Sequence, residues 1–589
     1  MKKILKKLNI LRRRYTWKIA RFGYMSAKRK LFWIGDHLCV IVKSREDIEN
    51  NKQLLINGAS VGSVKITKFP KGNQLIVSCE IQDRTALDAV KKTDTIFWKV
   101  SGSKIKGRSP LYTLQMKKFS KALLSLKYAP AVLDQAIGHM LPVKALLNYL
   151  SGFDKQLVSL PANIDGMIRA DAHSDVFIWG WSVGLDGADL IIADGEFKSV
   201  HKAELLARTR LDVYTHLKEK GVEVSHPVLG VNASCAPIPD SNRLQVFLKK
   251  GDELILLKKS TPQEGDFAGH AKAVVNNLCL DGPPPIAAIE LLSRSTRSKV
   301  QWRGMVGQDI WLKAPQSEKT PKVSIVVPYY GDSYFLLDQI ALQQKMGDGL
   351  THDDIEWIFV CDDVSIFPHM RDFGKSRRPF MEQATRLVLT SHNLGFAGAS
   401  NLGASLARAP YVLFMNSDIY CTDFDYIAHG IGLMDKDPDI GCTGFTLQYE
   451  DGSIQHNGMV FQRNPGLGDL FGLEHPFKGL PAPITSKVSV RECDAVTGAL
   501  MLVRASDWDQ GCVFDTTYVL GDFEDGDLNL TIREKGQKVM LLETSGIYHL
   551  ERQSIRTMAS NYTRLGITML NCVHFNKKWQ TQLQAYKTL

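Results

Sequence analysis

The chain has 589 residues, 44% of them hydrophobic and 23% charged, an ordinary composition for a globular protein but more chain than one core accommodates. The formal net charge of +11 comes from residues 1–30, which contain 12 Lys or Arg and no Asp or Glu. The neutral remainder argues against a nucleic-acid-binding surface spread over the folded domains. No apolar run reaches 18 residues, so the sequence predicts no helix that spans a bilayer.

Residues 1–30 form a basic arm in which apolar residues recur at three- and four-residue steps. This spacing predicts a basic amphipathic helix, which favours binding to an anionic membrane surface. A solvated tail and a nucleic-acid-binding arm are the other interpretations. The ten cysteines form no CxxC pair and indicate reduced, mostly buried thiols. Together these features predict a cytoplasmic protein, peripheral on the inner face of the cytoplasmic membrane.

Two β-rich regions follow the arm. Residues 31–155 contain short strand-like runs such as Leu38–Lys43 and Leu75–Glu80, which predict a small β-sandwich or barrel followed by a helical connector. Residues 156–293 are again β-rich and predict a sandwich-like accessory domain.

Within the second region, residues 200–221 predict a helix, and the run 244–259 predicts a hairpin turning at Lys250–Gly251–Asp252. The polar residues 294–320 then predict a linker. A different pattern starts after this linker.

Residues 321–560 alternate strands with helices, which predicts a mostly parallel sheet. Ligands bind such sheets at the carboxyl ends of the strands. Asp362 and Asp363 directly follow one strand-like run, and Asn416-Ser417-Asp418 follows another. Carboxylates there suit a nucleotide base, ribose hydroxyls or a hard cation, although each alone fits a helix cap or turn equally well. Residues 561–589 predict a C-terminal helical extension.

Glu524 and Asp525 fall at the N-terminus of another predicted helix. A carboxylate in this position can accept a proton from a hydroxyl as a general base. The simpler interpretation is that both residues only complement the helix dipole. His549 follows a further strand-like run and is either a metal ligand or a structural residue.

Eight motifs occur in one order between residues 323 and 554: VSIVVPYYGD, FVCDDVS, SHNLGFAGASNLGASLA, YVLFMNSD, DGSIQHNGMVF, AVTGALMLVR, FEDGDLNLTIREKG and IYHLERQS. In this order they resemble the family-2, rhamnosyltransferase-like glycosyltransferases of the GT-A fold. The resemblance implies a hexosyltransferase whose C-terminal catalytic domain is an α/β GT-A domain, Rossmann-like with a mostly parallel sheet, preceded by the two β-rich domains. It also implies inversion at the anomeric carbon.

The resemblance also implies roles for individual residues. It implies nucleotide-sugar binding by Pro328, Tyr330, Asp362, Asp363, Asn393, Gly395, Phe396, Asn401 and Asn416, binding of Mg²⁺ or Mn²⁺ by Asp418 and His549, catalysis by Asp525 as base with Glu524 beside it, and acceptor-side contacts by Thr497 and Gly498. The first carboxylate of the family's metal motif is Asn416 here, which leaves Asp418 as the only charged ligand in that motif.

The sequence therefore predicts an inverting, metal-dependent, non-processive glycosyltransferase that uses a nucleotide-diphosphate sugar. Its predicted acceptor is a hydroxyl of a growing surface or extracellular glycan, free or lipid-linked, as in polysaccharide biosynthesis for a bacterial cell envelope. The alternative is a carbohydrate-binding or scaffolding protein with an inactive transferase domain. A nucleic-acid partner acting through the arm is disfavoured by the neutral body.

Overall fold

The structure is a computed structural model that describes the strands within residues 31–113 and residues 161–586. Gaps in the second range fall at 170–171, 196–198, 239–242, 252, 265–273, 276–277, 279–285, 296–299, 332–333, 344–348, 423, 483–487 and 551–560. The predicted membrane-binding arm and the helical connector lie outside the described residues. The chain divides into two compact units, Met1–Gly265 with Arg294–Thr296 and Asp266–Ser293 with Arg297–Leu589.

The first eight strands form one sheet in the order β7-β6-β3-β4-β5-β2-β1-β8. Their bounds are β1 Leu31–Ile34, β2 His37–Lys43, β3 Gln53–Ile56, β4 Ala59–Lys68, β5 Gln74–Glu80, β6 Ile96–Val100, β7 Lys106–Ser109 and β8 Tyr112–Thr113. The two runs singled out in the sequence become β2 and β5, which pair antiparallel as neighbours in the sheet.

The next region contains two four-stranded antiparallel sheets, ordered β13-β14-β10-β9 and β12-β11-β15-β16. Their bounds are β9 Ala162–Ile168, β10 Val176–Ser182, β11 Asp189–Asp194, β12 Val200–Lys202, β13 Glu204–Thr209, β14 Val228–Cys235, β15 Leu244–Lys250 and β16 Glu253–Ser260. Apolar residues of both sheets, among them Ile178 and Val246, share one buried core.

Two predictions for this region have different outcomes. The hairpin is confirmed, because Lys250 pairs with Glu253 across a loop in which Gly251 has a φ of 57°. The helix predicted over 200–221 is wrong in its first half, since it begins only at Leu211, as α1 Leu211–Glu219. The residues before it form β12 and β13, where they pair with strands of the two sheets.

The second unit is built on a nine-stranded sheet ordered β17-β20-β19-β18-β21-β29-β23-β30-β28. Its strands are β17 Val306–Lys313, β18 Val323–Tyr329, β19 Ile355–Cys361, β20 Ala384–Thr390, β21 Tyr411–Met415, β23 Ile440–Phe445, β28 Ser489–Glu492, β29 Leu500–Arg504 and β30 Lys538–Glu543. The smaller sheets contain β22 Ile419–Cys421, β24 Leu447–Gln448, β25 Ile454–His456, β26 Val460–Asn464, β27 Leu470–Glu474 and β31 Ile547–His549.

The prediction of a mostly parallel sheet is wrong, because the sheet is mixed. Strands β18 to β21 pair parallel with one another where they are neighbours. Strand β29, however, lies between β21 and β23 and runs antiparallel to both. Antiparallel strands β17 and β28 close the two edges. The predicted linker 294–320 therefore contains an edge strand of this sheet.

Helices cover the sheet and complete the unit. Their bounds are α2 Ile286–Ser295, α3 Phe335–Leu342, α4 Phe367–Arg377, α5 Gly395–Ser405, α6 Asp425–Lys436, α7 Ala505–Asp509, α8 Glu524–Glu534, α9 Asn561–Lys578 and α10 Gln580–Leu583, with 3-10 turns at His352–Asp354, Arg378–Phe380 and Pro465–Leu467. Helix α9 packs Cys572 and Phe575 against Phe461 and Phe523 in a buried apolar cluster. In the part of the chain that the structure describes, every helix is too short or too polar to cross a membrane.

Candidate functional site

A cavity of about 980 Å³ opens at the carboxyl ends of β18, β19 and β21. Strand β18 lies between the other two, so the residues that follow these strands, Tyr330, Asp362 and Asn416, converge on one edge of the sheet. The other walls come from the loop before α8, the β26–β27 hairpin and α9. Every residue that the sequence predicted for the site lines this cavity except Asn401.

Asp362 is buried at the end of β19. Its Oδ1 accepts hydrogen bonds from the Leu394 N–H at 2.7 Å and from the Thr390 hydroxyl at 2.9 Å. Burial raises the pKa of Asp362 to about 7, although both hydrogen bonds favour the ionised form. Asp363 is half-buried beside it and accepts from the N–H and hydroxyl of Ser365. This pair offers carboxylate oxygens to N–H or O–H groups of a ligand in the cavity.

A tight turn brings the start of α5 to the same wall. Asn393 donates from Nδ2 to the Asp362 carbonyl at 3.3 Å and accepts the Gly395 N–H on Oδ1 at 3.1 Å. Gly395 has a φ of 68°, which a residue without Cβ adopts at least cost. The turn places Phe396 on the cavity wall.

Asn401, which the sequence assigned to nucleotide-sugar binding, does not line the cavity. It is fully buried, donates from Nδ2 to the Phe514 carbonyl at 2.9 Å and accepts the Phe514 N–H at 3.1 Å. Both functional ends of its amide are thus used to hold a loop. Phe514 in turn packs edge-on against Phe396, with ring centroids 5.5 Å apart.

Asp418 and His549 meet where β22 and β31 pair. The Asp418 Oδ1 and His549 Nε2 atoms are 3.3 Å apart, and both side chains are about nine-tenths buried. Adjacent octahedral ligands about 2.1 Å from one Mg²⁺ lie about 3.0 Å apart, so this pair fits a shared divalent cation. His549 Nδ1 is buried without a hydrogen-bond partner. In the tautomer with the proton on Nδ1, the Nε2 lone pair of His549 and the carboxylate oxygen of Asp418 repel each other. A cation bound between them would remove this repulsion.

Protein side chains alone do not complete the coordination shell of the cation. Among the described residues, no group of three His, Cys, Asp or Glu side chains is arranged to hold a metal ion. Asn416 lines the cavity next to Asp418 and adds an amide oxygen. Oxygen atoms of a phosphate-bearing ligand and water would complete the shell, as is usual for Mg²⁺.

Glu524 and Asp525 are the first two residues of α8, and both line the cavity. Asp525 accepts the Gly498 N–H on Oδ2 at 3.1 Å and the Gly526 N–H on Oδ1 at 2.8 Å. Glu524 is only 7% exposed, and its Oε2 is buried without a partner. Burial raises the pKa of both carboxyl groups, and the adjacent Asp525 charge raises that of Glu524 further. The backbone N–H bonds favour ionisation of Asp525, so Asp525 is the member of the pair that is more readily present as the carboxylate that a general base requires.

The backbone directly before α8 is strained. Leu520, Asp522 and Phe523 have φ values of 63°, 76° and 75°, in the left-handed region that costs a non-Gly residue about 1–3 kcal/mol. Only two other non-Gly residues among those described, Asp469 and Phe477, have positive φ. Strain is therefore concentrated immediately ahead of the two carboxylates.

Helix α9 holds this strained turn through Asn571, which is 1% exposed. Its Oδ1 accepts the Val519 N–H at 2.9 Å. Its Nδ2 shares two protons among the carbonyl oxygens of Val519, Gly521 and Asp522, which lie at 3.0, 2.6 and 3.2 Å. Thr568, one turn earlier in α9, donates its hydroxyl to Asp522 Oδ2 at 2.7 Å.

Sequence reasoning missed a histidine pair of which one member, His475, lines the cavity. His456 is buried and accepts the N–H groups of Gly458 and Thr497 on Nε2, at 3.3 and 3.4 Å. Its Nδ1 must then carry the proton and donate to His475 Nδ1 at 3.1 Å. Burial lowers the pKa of His456 well below its usual value. A motif contains His456, but no motif marks the cavity-lining His475 or Arg564.

Comparison with known proteins identifies a family over part of the second unit. Residues 324–475 match the family model described as glycosyl transferase family 2. The chain is 25% identical over 239 residues to the uncharacterized protein y4gI of Sinorhizobium fredii, covering 40% of this chain and 25% of that protein. It is 26% identical over 257 residues to the O-antigen biosynthesis protein RfbC of Myxococcus xanthus, covering 41% of this chain and 18% of that protein. The chain thus spans a quarter or less of these relatives.

Among solved structures, one similar chain is GalNAc-T7, determined with UDP, GalNAc and Mn²⁺. The identity is 14% and the TM-score is 0.35, over 46% of this chain and 50% of the other.

Proposed function

We propose that this chain, which carries a family-2 glycosyltransferase domain, transfers a sugar from a nucleoside-diphosphate donor to a hydroxyl of a glycan, free or lipid-linked. The carrying observation is that Asp525, the carboxylate suited to proton removal, and the adjacent Glu524 line the same cavity as the cation-compatible pair Asp418 and His549. A cavity of about 980 Å³ is at the upper end of the range for small-molecule sites. The order of strands and helices around it supports a GT-A catalytic domain.

The donor's nucleoside is assigned to the wall made by Asp362, Asp363 and the Asn393 turn. These carboxylates accept hydrogen bonds from base N–H groups and ribose hydroxyls. Pro328 and Tyr330 line the cavity beside them. The diphosphate then extends toward Asn416, Asp418 and His549. A bound Mg²⁺ or Mn²⁺ there would neutralise the charge that develops on the departing diphosphate.

The acceptor hydroxyl is assigned to the opposite wall, near Thr497, Gly498 and the start of α8. Asp525 takes the hydroxyl proton while the acceptor oxygen forms a bond to the anomeric carbon. The bond from that carbon to the diphosphate oxygen breaks, and its electron pair leaves with the nucleoside diphosphate. One displacement of this kind inverts the anomeric configuration and adds one sugar without processive extension.

The cellular setting belongs to the same proposal. Residues 1–30, rich in Lys and Arg, would hold the enzyme on anionic lipid at the cytoplasmic face. There it would act on glycans made for the cell envelope. The similarity to the Myxococcus relative, an O-antigen biosynthesis protein, supports this setting.

The experiment is a donor screen with the full chain. UDP-, dTDP- and GDP-sugars are supplied with Mn²⁺ or Mg²⁺, and release of the nucleoside diphosphate is measured with and without chelator. We expect one donor class to be hydrolysed slowly, and hydrolysis to stop in chelator. Binding of these donors without any hydrolysis or transfer, even with glycan acceptors added, would favour the carbohydrate-binding or scaffolding alternative.

A further inference from the structure

We propose that Asn571 is a positioning residue for the transfer reaction: it holds the left-handed turn Val519–Phe523 in the shape that presents Glu524 and Asp525 to the cavity. The inference rests on the proposed transferase function, since it concerns the same two carboxylates. It extends the active site to α9, outside residues 324–475 that match the family model.

The turn needs an external restraint because its own residues disfavour its conformation. Leu520, Asp522 and Phe523 all have positive φ without being glycine, and such residues persist only where the surroundings over-determine them. Leu520 and Asp522 both line the cavity. Relaxation of either residue would therefore move the wall of the site and the first turn of α8 with it.

Asn571 provides this restraint through the backbone. One buried amide accepts one N–H of the turn on Oδ1, and the two protons on Nδ2 are shared among three of its carbonyl oxygens. Because those groups are backbone groups, the restraint fixes the path of the chain rather than one side chain. An aspartate in its place keeps the acceptor for the Val519 N–H but leaves all three carbonyls without their donor.

The helix that carries Asn571 is joined to α8 by further polar contacts. The indole N–H of Trp579, just beyond α9, donates to Asp527 Oδ1 at 2.6 Å, and Lys578 bridges Asp515 and Asp527 at 2.7 and 2.8 Å. Asp527 is 1% exposed and lies in the first turn of α8. Helix α9 is thus tied to α8 on one side of the turn while Asn571 holds the turn itself.

The test compares Asn571→Asp with Asn576→Asp in the full chain. Asn576 is a matched control on the same helix, since its amide also bonds backbone groups, but those of Phe471 and Cys572. The substrate is whichever of UDP-glucose, dTDP-rhamnose and GDP-mannose the unaltered chain hydrolyses. We expect kcat of Asn571→Asp to fall about 10²-fold, the effect of an ångström-scale misplacement, with the donor KM within a few fold and the acidic limb of the kcat–pH profile displaced.

Hydrogen–deuterium exchange gives a readout independent of turnover, and peptides covering 516–526 should exchange faster in Asn571→Asp but not in Asn576→Asp. Thr568→Val removes only the partly exposed hydrogen bond to Asp522 and should lower kcat several-fold. This variant tests the same proposal if Asn571→Asp does not fold. Leu520→Gly, which removes one positive-φ penalty, should restore part of the kcat lost in Asn571→Asp.

Unchanged kcat and pH profile in both Asn571→Asp and Thr568→Val would overturn the inference, even if the melting temperature falls. No hydrolysis or transfer from any donor by the unaltered chain, even with glycan acceptors added, would instead refute the proposed function.

Discussion

Replacing Asp525 with Asn is the most informative single change, because Asp525 and Glu524 are adjacent carboxylates with different surroundings. The variant removes the proton acceptor that the proposed reaction needs. Loss of a general base lowers turnover about 10²–10⁴-fold, so we expect kcat to fall by that factor while donor affinity changes little. Glu524→Gln should lower kcat less.

The structure also predicts a stability cost for Asp525→Asn. Both Asp525 oxygens accept backbone N–H groups, from Gly498 and from Gly526. A carboxamide has one acceptor oxygen, so its NH₂ group must face one of these donors, at a cost of about 1–3 kcal/mol. Glu524 Oε2 has no such partner, and Glu524→Gln should therefore melt close to the unaltered chain.

The assay measures nucleoside-diphosphate release and donor binding for both variants, with Glu534→Gln at the exposed end of the same helix as the control. If Asp525→Asn turns over normally and Glu524→Gln does not, the two roles are reversed. If both variants turn over normally, the base lies outside α8 and the assignment of this wall fails.

Three further predictions follow from the site and the sequence. Asp418→Ala should abolish divalent-cation-dependent donor hydrolysis without unfolding the chain, whereas Asp509→Ala on the exposed surface should not; full activity in chelator would contradict this. Deleting residues 1–30 should release the protein from anionic liposomes, where each Lys or Arg contributes about 1 kcal/mol, and should leave transfer to a soluble acceptor intact; equal binding to neutral liposomes would count against it. Burial raises the pKa of Asp362 to about 7, so the folded state holds this proton between about pH 4 and pH 7 while the unfolded state does not, and stability should fall as pH rises through that window. Asp362→Asn should remove this part of the pH dependence, measured by thermal melts, and an identical profile would show that Asp362 ionises normally.

The strand-end residues were predictable because parallel strands bring their carboxyl ends together whatever the rest of the sheet does. Asp362 and Asn416 could thus be placed at one site from local sequence alone. The mixed character of the sheet could not be predicted, because β29 has the same buried, apolar pattern as a parallel strand. The direction of β29 depends on the path of the chain between β23 and β29, which local sequence does not reveal. Strand β17 was taken for linker because its exposed edge residues are polar.

Two asparagines show the limit of motif reasoning. Asn401 lies in a motif and was assigned to the nucleotide, but its amide is used up by Phe514. Asn571 lies in no motif, and only the fold brings it to the turn before α8. Sequence spacing identifies residues near one another along the chain, whereas the contacts of Asn571 span about 50 residues.

The anchoring of α8 by α9 has a consequence for biosynthesis. Translation proceeds from the N-terminus, and domains begin to fold as they emerge. The sheet and both carboxylates are synthesised before Asn571, Lys578 and Trp579, so the nascent chain has Glu524 and Asp525 before it has the groups that hold them. On our proposal, a ribosome-bound chain lacking α9 can bind nucleotide at the strand ends but cannot transfer sugar efficiently, and synthesis of α9 and Trp579 allows the two carboxylates to be held for transfer.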